Sequence, residues 1–226
     1  MAKPRIFRYS RFNLDALLAL GYALRGQPCI SDKSKPPMAG SLNWADLVSF
    51  DDGVECILRS PRSGRDTHLS DESACRMLAS EAATLKYIRA HSLAPVPQVL
   101  SSRTGLRAFS LAIRLASSSP PTPLICIAKP APTALRGRPG EGHESARGIV
   151  IVSQLSQHRF EKVGSLFQDS DNNYSVGECL SPSLIWRQGD SLDGTARGPF
   201  NGGRAYLESL ISAYISHGLD TASRAS

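Results

Sequence analysis

The sequence predicts an α+β fold: a small antiparallel sheet with one helix, followed by an incomplete, mainly helical part. Residues 44–50 and 54–60 flank an Asp-Asp-Gly turn with alternating side-chain character, which is typical of a β-hairpin. Residues 71–91 then place apolar side chains at steps of three and four, which indicates an amphipathic helix. Residues 207–215 show the same helical spacing.

A further helix is predicted ahead of the hairpin. Asn13 is a favourable amino-terminal cap, because its side chain can accept a hydrogen bond from the first helical turn. Gly26 is the favoured residue type just past a helix end. The apolar residues between these two signals predict a helix from Leu14 to about Arg25.

One carboxylate, Glu81, interrupts the apolar face of the predicted helix. Half-burying an unpaired carboxylate is costly, so such a group normally has a cationic partner. On the preceding strand, alternation places Arg59 and Ile57 on one side and Cys56 and Leu58 on the other. We therefore expect Arg59 and Glu81 to approach within salt-bridge distance. The alternative is a solvated arginine beside an ordinary amphipathic helix.

A family resemblance is carried by three runs: MAGSLNWADLVSFDDGVECILRSPR, SEAATLKYIRAHSLAPVPQV and LSQHRFEKVGSLFQDSDNNYSVGECLSPS. The first two resemble the amino-terminal lobe of aminoglycoside-phosphotransferase-like proteins, the small-molecule branch of the kinase superfamily. The third resembles the segment that follows the hinge in eukaryotic members. Together the runs cover about half of the 226 residues.

The resemblance implies roles for five residues. Gly40, Ser41 and Asn43 match the loop that covers the nucleotide phosphates. Arg59 matches the cation that contacts those phosphates, and Glu81 matches its helix partner. The family more often has lysine at the position of Arg59, and a guanidinium is a bulkier, planar group that is not interchangeable with an ammonium.

The same resemblance implies an architecture and a reaction class. Residues 1–100 are expected to form a protein-kinase-like small lobe, and residues 153–226 the start of a truncated carboxy-terminal lobe. Members of the family use ATP and magnesium to phosphorylate a hydroxyl group of a small molecule. A nucleotide and a small-molecule acceptor are therefore the expected partners.

The groups that phosphoryl transfer requires are not recognisable in the sequence. This chemistry needs a catalytic-loop Asp, an Asn a few residues later and a second Asp that holds magnesium. The run His158-Arg159-Phe160-Glu161 has Phe where Asp belongs, and in His217-Gly218-Leu219-Asp220 the Asp is one position late. The second run is better interpreted as a helix end, because helical apolar spacing precedes it and Gly218 follows. We therefore expect no catalytic and no metal-binding residues in this chain.

The middle of the chain, residues 101–152, is predicted to be a basic, Pro/Ser-rich irregular segment. Residues 101–150 have a net charge of +5, and apart from a short apolar run near Phe109 to Leu115 no helical or strand periodicity survives there. The last strands of the small lobe and the adenine-binding hinge are expected in this region, but no counterpart is recognisable. The segment is either a disordered basic linker or translated sequence that is normally spliced out.

Other site classes find little support. The five cysteines are scattered without a C-x-x-C spacing, so neither a disulfide framework nor a zinc site is indicated. Asp169, Asp171 and Asn173 fit a polar hairpin turn better than a calcium loop, because the Gly and Glu of that loop are missing. The net charge of +6 is not accompanied by interleaved aromatic residues, so no nucleic-acid partner is expected. No membrane span is predicted, and a cytoplasmic location is expected.

Two functional classes remain open from the sequence. The first is an ATP-dependent small-molecule hydroxyl kinase, inactive as written because its catalytic loop and magnesium-binding Asp are absent. The second is a non-catalytic kinase-like remnant or interaction protein that keeps the small-lobe scaffold. Transcript sequencing across codons 100–155 would discriminate between an inserted and a genuine middle segment.

Overall fold

The computed structural model describes residues 14–32, 38–39, 43–61, 69–103, 124–128, 151–185 and 194–224. It is a mixed α+β structure with a small antiparallel sheet and several helices. In chain order the elements are α1 (Leu14–Arg25), β1 (Cys29–Ser31), β2 (Met38–Ala39), β3 (Asn43–Phe50), β4 (Glu55–Pro61), α2 (Asp71–His91), β5 (Gln98–Arg103), β6 (Leu124–Ala128), α3 (151–157), β7 (Ser165–Gln168), β8 (Tyr174–Gly177), α4 (Pro182–Ile185) and α5 (Gly203–Arg224).

The predicted hairpin is confirmed as β3 and β4, which pair antiparallel from Asn43 opposite Pro61 to Ser49 opposite Glu55. Gly53 closes the turn at a φ of 78°, a conformation that glycine adopts without steric cost. The larger sheet has the order β1-β3-β4-β6-β5, and β2 also pairs with β3. The hairpin therefore lies in the interior of the sheet.

Strand β6 corrects the prediction that residues 101–152 are irregular throughout. Leu124–Ala128 pairs with β4 on one side and with β5 on the other, and Ile127 is 6% exposed. A strand with neighbours on both edges and apolar residues throughout lacks the alternation by which half-buried strands are recognised. The apolar run near Phe109 to Leu115 lies outside the described residues.

Helix α1 begins at Leu14 and ends at Arg25, as predicted, with Gly26 at a φ of 66° just beyond its end. Asn13, the predicted cap, lies outside the described residues. The helix approaches the sheet so closely that a Cβ on Gly21 would lie 2.7 Å from Cys29 Sγ. Its last residue, Arg25, stacks over the Phe50 ring at 4.6 Å and pairs with Asp52 at 2.8 Å. Helix α1 thus covers the sheet face that carries Phe50.

Helix α2 covers the opposite face of the sheet. It begins after Ser70, whose hydroxyl accepts a hydrogen bond from the Ser73 amide, as is usual for a capping serine. Leu78 and Ala82, which are 1% and 2% exposed, pack with Ile127 of β6 in one core cluster. This packing confirms the predicted amphipathic helix. The face that carries Leu78 and Ala82 is the one that contacts the sheet.

A second core joins α2 to the carboxy-terminal elements. Its buried residues are Cys179, Leu180, Leu184, Ile185, Phe200 and Ala213. Leu69, Met77 and Phe167 pack against this cluster, so the amino-terminal end of α2 and the β7–β8 hairpin share it. The hairpin turn is the predicted polar one: the Asp169 carboxylate accepts hydrogen bonds from the backbone amides of Asp171 at 2.9 Å and Asn173 at 2.8 Å.

Helix α5 is longer than predicted. The expected end at His217-Gly218 is wrong, because the helix continues to Arg224. The apolar spacing ends at Ile215 and Gly218 follows, but glycine lowers helix stability without by itself ending a helix. In the described part of the chain, no helix is both long and apolar enough to cross a membrane.

Candidate functional site

Arg59 and Glu81 form the ion pair that the sequence predicts. Alternation along β4 buries Cys56 and Leu58 on the α1 side of the sheet and turns Arg59 toward α2. There Arg59 Nη1 donates a hydrogen bond to Glu81 Oε1. The side chains are 37% and 27% exposed, respectively, so the alternative of a freely solvated arginine is excluded.

The electrostatics of the pair follow from this position. Partial burial raises the pKa of Glu81, and the positive charge of Arg59 opposes that rise. Glu81 lies beside Ala82, which packs against the sheet, so its carboxylate is at the edge of the apolar core. The ion pair stabilises the Glu81 carboxylate, and the same contact holds the Arg59 guanidinium in place.

Asn43 lies near the pair, whereas two other predicted site residues lie outside the described part. Asn43 begins β3 opposite Pro61, and Ala45 two residues later is opposite Arg59. Residues two apart on a strand share a face, as do cross-strand partners, so Asn43 and Arg59 lie on one face. Gly40 and Ser41 lie outside the described residues. A phosphate-contacting role for all five residues remains a prediction.

The two runs that superficially resemble catalytic loops lie elsewhere. His158 follows α3, and its Nδ1 lies 3.3 Å from Tyr87 Oη. Phe160, at the position of the catalytic Asp, is 48% exposed. His217 and Asp220 lie within α5 and not in a loop. The first run thus has Phe at the Asp position, and the second is helical.

In the described part of the chain, no group of three or more His, Cys, Asp or Glu side chains is arranged to hold a metal ion. Cys29, Cys56, Cys75 and Cys179 are not in disulfide bonds. The candidate site is an arginine held by a glutamate, and a guanidinium is well suited to binding anions.

No family model, curated protein or solved structure matches this chain. The family resemblance remains a prediction from the quoted sequence runs.

The structure also contains a cavity that the sequence did not reveal. It has a volume of about 610 Å³ and lies between α2, α3 and the β7–β8 hairpin. Ser80, Thr84, Tyr87 and Ile88 form its α2 wall. Their helical spacing indicates a second packed face on α2, distinct from the face with Leu78 and Ala82. That spacing was the available signal, but nothing in the sequence placed α3 and the hairpin opposite it.

Proposed function

We propose that this chain is a kinase-like protein, similar to the aminoglycoside phosphotransferases, that binds the phosphates of ATP through Arg59 and does not transfer phosphate. The observation that carries the proposal is the contact between Arg59 on β4 and Glu81 on α2. In kinase folds a strand cation paired with a glutamate on the following helix contacts the nucleotide phosphates.

The surroundings of the pair support this function. Strand β4 follows β3 directly, and α2 follows β4, so the cation and its partner occur in the expected chain order. With 37% of its side chain exposed, Arg59 is accessible to a ligand while it remains paired with Glu81. A guanidinium is well suited to phosphate oxygens, because it offers several N–H donors in one plane.

The absence of turnover follows from the chemistry of phosphoryl transfer. Bound ATP would supply the phosphoryl group, but the transfer needs a positioned base and metal ligands. Phe160 replaces the catalytic Asp in the first candidate loop, and Asp220 belongs to α5. Contacts of Arg59 that are equal in the ground and transition states do not raise turnover. By the family resemblance, the acceptor class of an active relative would be a small-molecule hydroxyl. A cytoplasmic location is also part of the proposal.

The test is nucleotide binding together with turnover. We expect a fluorescent ATP analogue to bind the wild-type chain, and Arg59→Met to weaken binding roughly tenfold, the loss of one charge-assisted hydrogen bond. Arg59→Lys should retain part of the affinity. The control Arg204→Met removes an exposed arginine of α5, which pairs with Glu208 one turn along, and should bind as the wild type does. ATP consumption should not increase with aminoglycosides or choline.

Two results would overturn the proposal. Equal nucleotide affinity in the wild type and Arg59→Met would remove the phosphate-contacting role. Acceptor-dependent ATP consumption that disappears in Arg59→Met would show that a catalytic carboxylate exists, with Asp190 and Asp220 as the first candidates.

The alternative is a non-catalytic interaction protein, and one observation favours it. Four apolar side chains on α5 are more than half exposed: Leu207, Ile211, Tyr214 and Ile215. Contiguous exposed apolar residues on a helix are typical of interaction surfaces. If nucleotide does not bind and the sedimentation coefficient falls in Ile211→Glu, the alternative replaces the proposal.

A further inference from the structure

The cavity between α2, α3 and the β7–β8 hairpin has the size of a small-molecule site. Its volume of about 610 Å³ lies within the usual range of ligand pockets. Ile88 of α2, Leu155 of α3 and Leu166 and Val176 of the hairpin supply apolar walls. An apolar body of several carbon atoms fits such walls, because its burial removes apolar surface from water.

The polar groups of the cavity favour a negatively charged head group. His158 and Lys162 line it, and among the described residues of the lining none is acidic. Thr84 Oγ1 donates its proton to the Ser80 carbonyl at 2.8 Å, whereas Ser165 Oγ accepts from the Leu180 amide at 2.8 Å and keeps its own proton as a donor. Lys162 brings a positive charge to this lining, and His158 adds a ring nitrogen.

His158 provides a second, independent observation. Its Nε2 is buried and has no hydrogen-bond partner among the described residues. Its Nδ1 lies 3.3 Å from Tyr87 Oη, and the two rings meet edge to face at 5.3 Å, so the imidazole is held in position. In the tautomer in which Nδ1 accepts the Tyr87 proton, Nε2 is a donor. Buried donors are normally satisfied, and a ligand oxygen would satisfy this one.

We propose that this cavity binds a small amphipathic anion, with a carboxylate held by Lys162 and His158 and an aliphatic body among the apolar walls. The site is distinct from the Arg59/Glu81 pair, because neither Arg59 nor Glu81 is among the residues that line the cavity. It does not depend on nucleotide binding.

Octanoate is the probe, with 1-octanol as the neutral analogue and acetate as the head group alone. Isothermal titration should give saturable, one-site octanoate binding with a Kd on the order of 0.1 to 1 mM, as ligand size predicts. Octanol should bind about tenfold more weakly, and acetate should not bind measurably. Octanol binding as tight as octanoate, or no saturation by about 5 mM octanoate, would overturn the proposal.

Variants locate the binding. Lys162→Met should weaken octanoate binding about tenfold and leave octanol binding unchanged. Arg159→Met removes a neighbouring exposed charge that does not line the cavity and should bind both compounds as the wild type does. Leu155→Trp, at a residue that is 38% exposed, should fill the cavity and block both. Lys162 is exposed, so Lys162→Met should fold even if Leu155→Trp does not. Unchanged octanoate affinity in Lys162→Met would by itself refute the proposed binding site.

Discussion

Glu81 illustrates how one residue can be predicted from two periodicities. The helical period placed it on the apolar face of α2, and the strand period placed Arg59 on the side of β4 that this face covers. Both patterns are local, so the contact across 22 residues could be inferred before the fold was known. His158 shows the limit of such reasoning. Its partner Tyr87 is 71 residues away, and no pattern relates the two.

The Arg59/Glu81 pair can be measured with a double-mutant cycle. We expect Arg59→Met to lower the free energy of unfolding by about 1 kcal/mol near neutral pH, since it leaves a half-buried carboxylate without its cation. The same substitution in a Glu81→Gln background should cost less. Urea unfolding of the wild type, the two single variants and the double variant gives the coupling free energy between Arg59 and Glu81. Additive effects would show that the pair contributes nothing beyond its separate side chains.

The pH dependence of stability should carry a contribution from Glu81. Burial raises its pKa in the folded chain, so the folded state retains this proton at pH values at which the unfolded state has released it. The contribution of Glu81 to stability therefore falls as the pH rises from the ordinary glutamate pKa through the raised folded value. Removing the ionisable group in Glu81→Gln should abolish this fall. Parallel stability curves for wild type and variant, measured by urea unfolding across acidic to neutral pH, would contradict the assignment.

At the level of elements, predictions succeeded where local signals agreed. The β3–β4 hairpin, α1 and α2 each combine periodicity with turn or capping residues. Strand β6 was missed because its burial depends on β4 and β5, which flank it only in the folded chain. The end of α5 was misplaced because one glycine was given more weight than the helix around it.

Substitution of Gly218 tests the corrected extent of α5, and substitution of Gly26, which follows α1, is the comparison. Gly218 lies inside the helix, and a Cβ there would meet nothing within 4 Å. Gly218→Ala should therefore raise the free energy of unfolding by up to about 1 kcal/mol. Gly26 also has open space but sits at a φ of 66°, so Gly26→Ala should destabilise the chain by about 1 kcal/mol. Thermal unfolding of the two variants measures both changes. Destabilisation by Gly218→Ala would show that the helix ends near Gly218, as the sequence predicted.

For the molecule as a whole, α2 is the element that connects the sheet to the carboxy-terminal hairpin. Leu78 and Ala82 belong to the core under the sheet, whereas Met77 packs in the second core. Polar contacts add to the connection: Lys86 Nζ donates to Gln168 Oε1 at 2.9 Å, and Arg76 pairs with Glu178 at 3.1 Å. A division of the chain into residues 1–100 and 153–226 could be inferred from the family resemblance. The packing of one part on the other could not, because it depends on side chains far apart in sequence.

Because α2 takes part in both cores, we expect the described elements to unfold in one transition. Phe167→Ala removes an aromatic side chain of β7 that packs against the second core. It should lower the free energy of unfolding by about 2 kcal/mol, less than for a fully buried ring, and shift the sheet and hairpin signals together. Hydrogen exchange read at β4 and at β7 is the measurement. Loss of protection confined to β7 would show that the two parts unfold separately.

The position of β6 also has a kinetic consequence. Strand β5 precedes β6 in the chain, yet it reaches the rest of the sheet only through β6. The edge of β4 that β6 covers therefore stays open until residues 124–128 have been synthesised and have paired with it, and β5 can join the sheet only together with β6 or after it. Such late, non-local pairing slows folding and leaves an unpaired strand edge available to other chains. For this molecule, the interval before β6 docks is the time when aggregation competes most strongly with folding.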